Sequence, residues 1–192
     1  PLVLLNASYP CDNIYSVLCD DYRATMEATQ YLLDKGRRSI LYLYHSQNYS
    51  GQKKLAGYKA GLESRGIPVR PEYIHFLTED KMSVPDVRDY ILAIAEQGLQ
   101  FDAVLTSEDV LSVGAAKYAR VVHRSVPQSL SIIGYNNSSF CLCCEPELTS
   151  VDNKLETLCN HCVSTMLTVL SGQDAPQKTV FAGELVKRGS TL

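Results

Sequence analysis

Short, mostly apolar runs alternate with helical periodicities along most of the chain. Residues 3–5, 14–19, 40–44, 73–77, 103–106 and 130–134 read as strands. Between them, apolar positions three and four apart mark helices carrying Ala24, Ala28, Tyr31 and Leu32, then Leu55, Tyr58 and Leu62, then Val87, Ile91, Ile94 and Ala95. Gly36, Gly66 and Gly98 stand where these helices should stop, while Asp21 or its neighbour, Ser50 and Ser83 stand where they should start. Strands alternating with helices predict an α/β fold with parallel sheets and crossover helices. Gly57 and Gly61 lie inside the second helix, where each costs about 1 kcal/mol against alanine. Close packing of that helix on its sheet is expected to offset the cost.

The stretch from Phe101 to Asn137 is the most informative. A strand ends in Ser107-Glu108-Asp109, a helix follows, and a second strand ends in Asn136-Asn137. Ligands of open parallel sheets bind outside the carboxyl ends of the strands, so Glu108 and Asn136 are candidates for a shared small molecule. Past Asn137 the alternation lapses: residues 138–146 read as a loop and 148–151 as an extended link. Leu155, Leu158, Cys159, Cys162, Val163, Met166, Leu167 and Leu170 then give the strongest helical stripe in the chain, stopped by Gly172. Two short strands, 179–182 and 184–187, close it around Gly183.

Composition removes several function classes. A net charge of -3 over 192 residues carries no basic footprint, so this stretch is not expected to grip nucleic acid by itself. No apolar run reaches the length of a membrane span, and residues 1–5 lack the basic flank of a secretory signal. Seven cysteines, an odd number, fit a reducing cytoplasm better than a disulfide framework. Cys141, Cys143, Cys144, Cys159 and Cys162 invite a zinc reading, but the last two fall inside the apolar stripe, where free cysteine behaves as a small hydrophobe. No metal or other cofactor is expected. His45, His75, His123 and His161 form no recognisable nucleophile–base arrangement, and neither a G-x-S-x-G elbow nor a glycine-rich phosphate loop is present. The chain does not read as an enzyme.

Specific motifs add to this. Pro1-Leu2-Val3-Leu4-Leu5-Asn6 comes first, then Val17-Leu18-Cys19-Asp20-Asp21, followed by Tyr31-Leu32-Leu33 and Gly36-Arg37-Arg38-Ser39-Ile40. Next are Lys54-Leu55-Ala56-Gly57-Tyr58 and Phe101-Asp102-Ala103-Val104, the latter with Glu108-Asp109 and Gly114-Ala115. The run VPQSLSIIGYNN from Val126, then Pro146-Glu147-Leu148-Thr149-Ser150-Val151 and a closing ELVKRGST from Glu184 complete the series. In this order the motifs resemble the effector-binding core of the lactose/galactose-repressor (LacI/GalR) family of bacterial regulators.

The resemblance implies a type I periplasmic-binding-protein fold, two parallel-sheet α/β lobes with ligand in the cleft between them. It implies three crossovers, near residues 36–38, 146–150 and 172–178. Residues 1–36 and 150–174 would then form a partial N-terminal lobe, and 37–149 and 175–192 the C-terminal lobe. The family's DNA-binding helix-turn-helix, its hinge helix and the first strand–helix units of the N-terminal lobe would lie outside this stretch. That lobe is therefore expected to be exposed, mispaired or completed by another chain. The family lines its cleft with an arginine, an asparagine and an aspartate, at positions held here by Lys54, Glu108 and Asn136. All three differ from the family pattern, which implies a changed specificity. Asp20 matches a strand end facing the cleft or a helix N-cap. Asp109 matches the family's aspartate or a cap, and Leu155 reads as core.

The function implied is a cytoplasmic, homodimeric regulator core that binds a small, sugar-like effector. Operator DNA would be reached only through the helix-turn-helix. The alternatives are a periplasmic solute-binding protein of a sugar transporter and a flavodoxin-like or hydrolase-type enzyme.

Overall fold

The computed structural model describes residues 1–191, and its strands fall into two sheets. The smaller holds β1 (Leu2–Leu5), β2 (Ile14–Cys19) and β8 (Lys178–Phe181), all parallel, in the order β1-β2-β8. The larger runs β4-β3-β5-β6-β7-β9. Its strands are β3 (Ile40–Tyr44), β4 (Ile74–Phe76), β5 (Ala103–Thr106), β6 (Ser131–Tyr135), β7 (Thr149–Asp152) and β9 (Glu184–Val186). Every pairing in it is parallel except β7 with β9. The helices are α1 (Asp21–Asp34), α2 (Tyr49–Glu63), α3 (Val84–Glu96), α4 (Asp109–Val121) and α5 (Leu155–Leu170). Local signals account for most boundaries. Asp20 caps α1 and Ser83 caps α3 through their side chains, although α2 is capped by Asn48 and not by Ser50. Residues 138–146 are not all loop, because Ser139–Cys143 winds into a short 3-10 helix.

The six-stranded sheet has a core on each face. One holds Leu41, Leu43, Val104 and Ile132 against Val87 and Ile91 of α3 and Leu111 and Ala115 of α4. The other holds Ile40, Tyr42, Leu105 and Ile133 against α2 and, unexpectedly, α1, whose Ala24, Ala28, Leu32 and Leu33 are buried there. Gly57 and Gly61 explain this docking. A Cβ at Gly57 would overlap the Tyr22 carbonyl, and one at Gly61 would lie 2.5 Å from Thr29 Cβ, so α2 approaches α1 closely. The close contact is thus with a neighbouring helix and not with the sheet.

The lobe boundaries move accordingly. The first crossover passes through Asp20 and Asp21 and not residues 36–38, because the apolar face of α1 fits the larger sheet. The second passes through Asn153 and Lys154, since β7 still belongs to the larger sheet and α5 packs on β1 and β2. The third passes through Ala182 and Gly183, since β8 pairs with β2.

The smaller sheet has only Val17, Cys19 and Leu158 as a buried cluster. Its strand β1 is exposed at Leu2 and Leu5 and not buried, and α5 leaves Leu155, Val163, Leu167 and Leu170 in solvent. Leu155 is therefore not core.

Candidate ligand-binding site

The carboxyl ends of the larger sheet carry a linked set of polar groups. Asp21, at the start of α1, is 2% exposed. Its Oδ1 accepts from the Tyr135 hydroxyl at 2.6 Å, and its Oδ2 from Ser50 Oγ at 2.5 Å. Lys54 points inward from α2 and is 8% exposed. Its Nζ donates to the Ser107 carbonyl at 3.2 Å and sits 3.9 Å above the centroid of the Tyr135 ring, a cation–π arrangement. Burial lowers the Lys54 pKa, opposed first by the charge of Asp21 and then by that of Glu108. Burial, reinforced by Asp21, raises the Tyr135 pKa, so the phenol stays a donor. The same two causes push the Cys19 thiol up to about 12.

Glu108 continues the chain of contacts. Its Oε1 lies 3.3 Å from His45 Nε2, and His45 Nδ1 lies 3.4 Å from Ser107 Oγ. An imidazole carrying its proton on Nε2 donates to Glu108 and accepts from Ser107 Oγ through Nδ1. The Glu108 side chain remains 34% exposed.

Glu108 and Asn136 follow the carboxyl ends of the adjacent strands β5 and β6, each three residues past the last register pair, Leu105 and Ile133. Neighbouring strands run roughly 5 Å apart, so one small molecule can touch both ends. Asn136 has φ +100°, a conformation that costs a side-chain-bearing residue of order 1–3 kcal/mol. Its backbone N–H bonds the Val151 carbonyl at 2.8 Å, and its Oδ1 accepts from Asn153 Nδ2 at 3.0 Å. Asn153 is 7% exposed, and its Oδ1 has no donor. Asn136 and Asn153 line a concavity of about 290 Å³ shared with Asp152, Lys154 and the first turn of α5.

Two candidates read from the sequence do not join this group. Asp20 spends Oδ1 on the Arg23 N–H at 3.1 Å as the cap of α1, and lines a separate hollow of about 130 Å³ with Arg23, Glu27 and Gly183. Asp109 is sealed at 2% exposure. Its Oδ1 accepts from Ser150 Oγ at 2.6 Å, and its Oδ2 from the Ser138 N–H at 2.7 Å and Ser138 Oγ at 2.8 Å. It ties the 138–143 turn and β7 to α4. A Cβ at Gly134 would overlap its carboxylate, so the bare backbone there makes room for it. Lys54, Glu108 and Asn136 do lie at one end of the sheet, with Lys54 beneath the surface. Sequence reasoning missed Ser50, Ser107, His45, Tyr135 and Asn153, and read Asp21 only as a cap. No local spacing distinguishes them, because their contacts join residues far apart in the chain.

A concavity of about 650 Å³ lies elsewhere, between the second half of α4 and residues 143–148. The polar groups that converge at the strand ends are missing from it: Arg124 there is turned onto the Ser129 carbonyl and the Phe101 ring. Among the described residues no group of three or more His, Cys, Asp or Glu side chains is placed to hold a metal ion.

A model of the periplasmic binding protein-like domain matches residues 29–191, which includes every strand of the larger sheet. The chain belongs to that family. Over 191 residues this periplasmic binding protein-like domain is 42% identical to an HTH-type transcriptional regulator of Lachnoclostridium phytofermentans, covering 100% of the chain and 56% of the relative. It is 25% identical over 193 residues to the HTH-type transcriptional regulator AscG of Escherichia coli, again covering 100% and 56%. The domain therefore spans about half the length of these curated relatives. A crystal structure of a sugar-binding transcriptional regulator of the LacI family from Escherichia coli, complexed with phosphate, matches it with a TM-score of 0.89 at 25% identity. That match covers 100% of this chain and 68% of the other. The family resemblance of the motifs and the type I α/β fold are both borne out.

Proposed function

We propose that this domain is the effector-binding core of a LacI-type transcriptional regulator, and that Glu108, Asn136 and Asn153, with Lys54 beneath them, form its side of the ligand cleft. The observation that carries this reading is the placement of Glu108 and Asn136 at the carboxyl ends of β5 and β6, beside the crossover at Asn153. A ligand there touches the larger lobe and the segment that leads to the smaller one. Binding shifts the lobes about the three crossovers only as far as the ligand prefers one arrangement over the other. The relatives, HTH-type regulators rather than enzymes, support a non-catalytic role. A cytoplasmic homodimer that reaches operator DNA through a helix-turn-helix completes the reading. No helix among the described residues is long and apolar enough to cross a membrane. A small sugar-like effector fits the mixture of donors and acceptors, because each buried hydroxyl needs partners.

A thermal-shift screen of the protein against sugars, nucleosides and amino acids tests this. A ligand present at a hundred times its Kd stabilises by about 2.7 kcal/mol, and Asn136→Ala should abolish the rise in Tm. A hit that survives Asn136→Ala combined with Glu108→Ala places the site elsewhere.

A further inference from the structure

The charges around the cleft floor are unbalanced. Asp21, Glu108 and Asp109 sit near one ammonium, that of Lys54. Lys54 is not free to meet a ligand anion, since it is 8% exposed and turned onto the Ser107 carbonyl and the Tyr135 ring. The other nearby cations are also engaged. Lys154 Nζ lies 3.2 Å from Asp152 and 2.6 Å from Glu184. Arg188 bonds Asn137 Oδ1 at 2.7 Å and the Leu148 carbonyl at 2.9 Å, and lies 3.8 Å from Glu147. Glu108 is the one carboxylate of the three left partly open to solvent, with His45 at 3.3 Å.

A second observation has the same sign. Asn153 Oδ1 is buried without a donor at the wall of the concavity it shares with Asn136. An orphaned acceptor and an under-compensated carboxylate both ask for hydrogen-bond donors, and the carboxylate asks for positive charge as well.

Building on the effector-cleft reading above, we infer that the ligand presents a protonated amine to Glu108, which makes an aminosugar-like polyhydroxy ammonium the class it selects. The ammonium forms a charge-assisted hydrogen bond to the Glu108 carboxylate, while its neighbouring hydroxyls donate toward Asn153 and Asn136. A ligand carboxylate in the same place would meet the like charge of Glu108, with His45 already turned onto that carboxylate. A neutral hydroxyl would satisfy the geometry and leave the negative charge unbalanced.

The test is a set of thermal-shift titrations of the full-length protein with three hexosamines, their parent hexoses and the matching hexuronates. One hexosamine should bind about tenfold more tightly than its parent hexose, with the hexuronate weakest. In Glu108→Gln the hexosamine-to-hexose ratio should collapse toward one. The ligand-free Tm of the variant, kept close to that of the parent protein, shows that it is folded. A hexose or hexuronate that binds at least as tightly as its hexosamine overturns the amine assignment and leaves the sugar-effector reading standing. A hexosamine preference that survives Glu108→Gln overturns the role of Glu108. Silence from all three sets overturns the amine assignment, and the wider screen of sugars, nucleosides and amino acids decides the effector reading separately.

Discussion

In the larger lobe, β3, β5 and β6 are covered on both faces and each face has its own core. In the smaller lobe the buried apolar cluster is small, Val17, Cys19 and Leu158, and apolar side chains of β1, α5 and β8 stand in solvent. Both are built mainly of parallel strands with helices packed on them, so pattern alone does not explain the difference. What differs is how many neighbours each element has. α1 is attached in sequence to the small sheet yet buries its face against the large one. This shows that the lobe with a finished interior collects the adjoining helix. It also bears on the proposed site. A recognition site needs side chains held by packing, and Lys54, Ser107, Tyr135 and Asp21 all stand on the lobe whose core is complete.

Substitutions can break that comparison. The largest effect is expected from Leu105→Ala in β5, where a fully buried side chain in the middle of the sheet is removed. Urea unfolding should show a loss of about 3 kcal/mol, and a loss below about 1 kcal/mol would mean that the core is not as tightly formed as described. Asp109→Asn should follow, at about 2 kcal/mol. The amide replaces one acceptor oxygen with a donor facing Ser138 or Ser150. If Asp109 were instead a ligand contact, the variant would lose ligand binding with little loss of stability.

Thiols give a gentler probe of the same contrast. Cys11, Cys143 and Cys159 are exposed, whereas Cys19 and Cys141 are buried and burial pushes both thiols up to about 12. At pH 8 a thiol reagent should label the first three quickly and the last two only on unfolding. Because the folded-state pKa of Cys19 lies above its ordinary value of 9.0, its contribution to stability is intact below pH 9 and is lost as pH rises toward 12. Cys141, Tyr135 and Tyr42, all raised by burial, act in the same direction, and the lowered pKa of Lys54 opposes them. The urea midpoint should therefore fall between pH 9 and 11, and fall less in Cys19→Ala. A midpoint that stays flat would contradict the buried environment of these groups. The smallest effect is expected from Leu167→Ala on α5. Leu167 is 64% exposed, so the change should stay within about 0.5 kcal/mol for the 192-residue chain. A larger cost would reveal packing on the small lobe that this structure does not contain.

The sequence made the architecture legible where local signals decide it. The strand runs, the caps at Asp20 and Ser83 and the stop glycines lie within three residues of the observed ends. The stripe on α5 misled, because periodicity reports which face is apolar and not whether anything covers it. Leu155 and Leu167 belong to the strongest pattern in the chain and are among its most exposed apolar residues. The lobe boundaries misled for a related reason, since which sheet α1 prefers depends on the glycine contacts between α1 and α2. At the site, Glu108 and Asn136 were visible as strand-end polar residues. Asp21, Ser107, Tyr135 and Asn153 were not, because each acquires its place through a contact across the sheet. Asp20 and Asp109 show the reverse case, since each makes structural bonds, Asp20 as the cap of α1 and Asp109 to Ser138 and Ser150. A carboxylate at a strand end looks equally suited to a ligand and to a structural bond, and only its partners decide.

Hydrogen exchange with and without a thermal-shift hit tests the central claim most directly. Ligand should slow exchange at backbone amides of residues 43–45, 106–109, 135–137 and 152–157, the strand ends and the crossover into α5. Protection confined to residues 116–124 and 143–148, around the larger concavity beside α4, with the strand ends unchanged, would contradict the account.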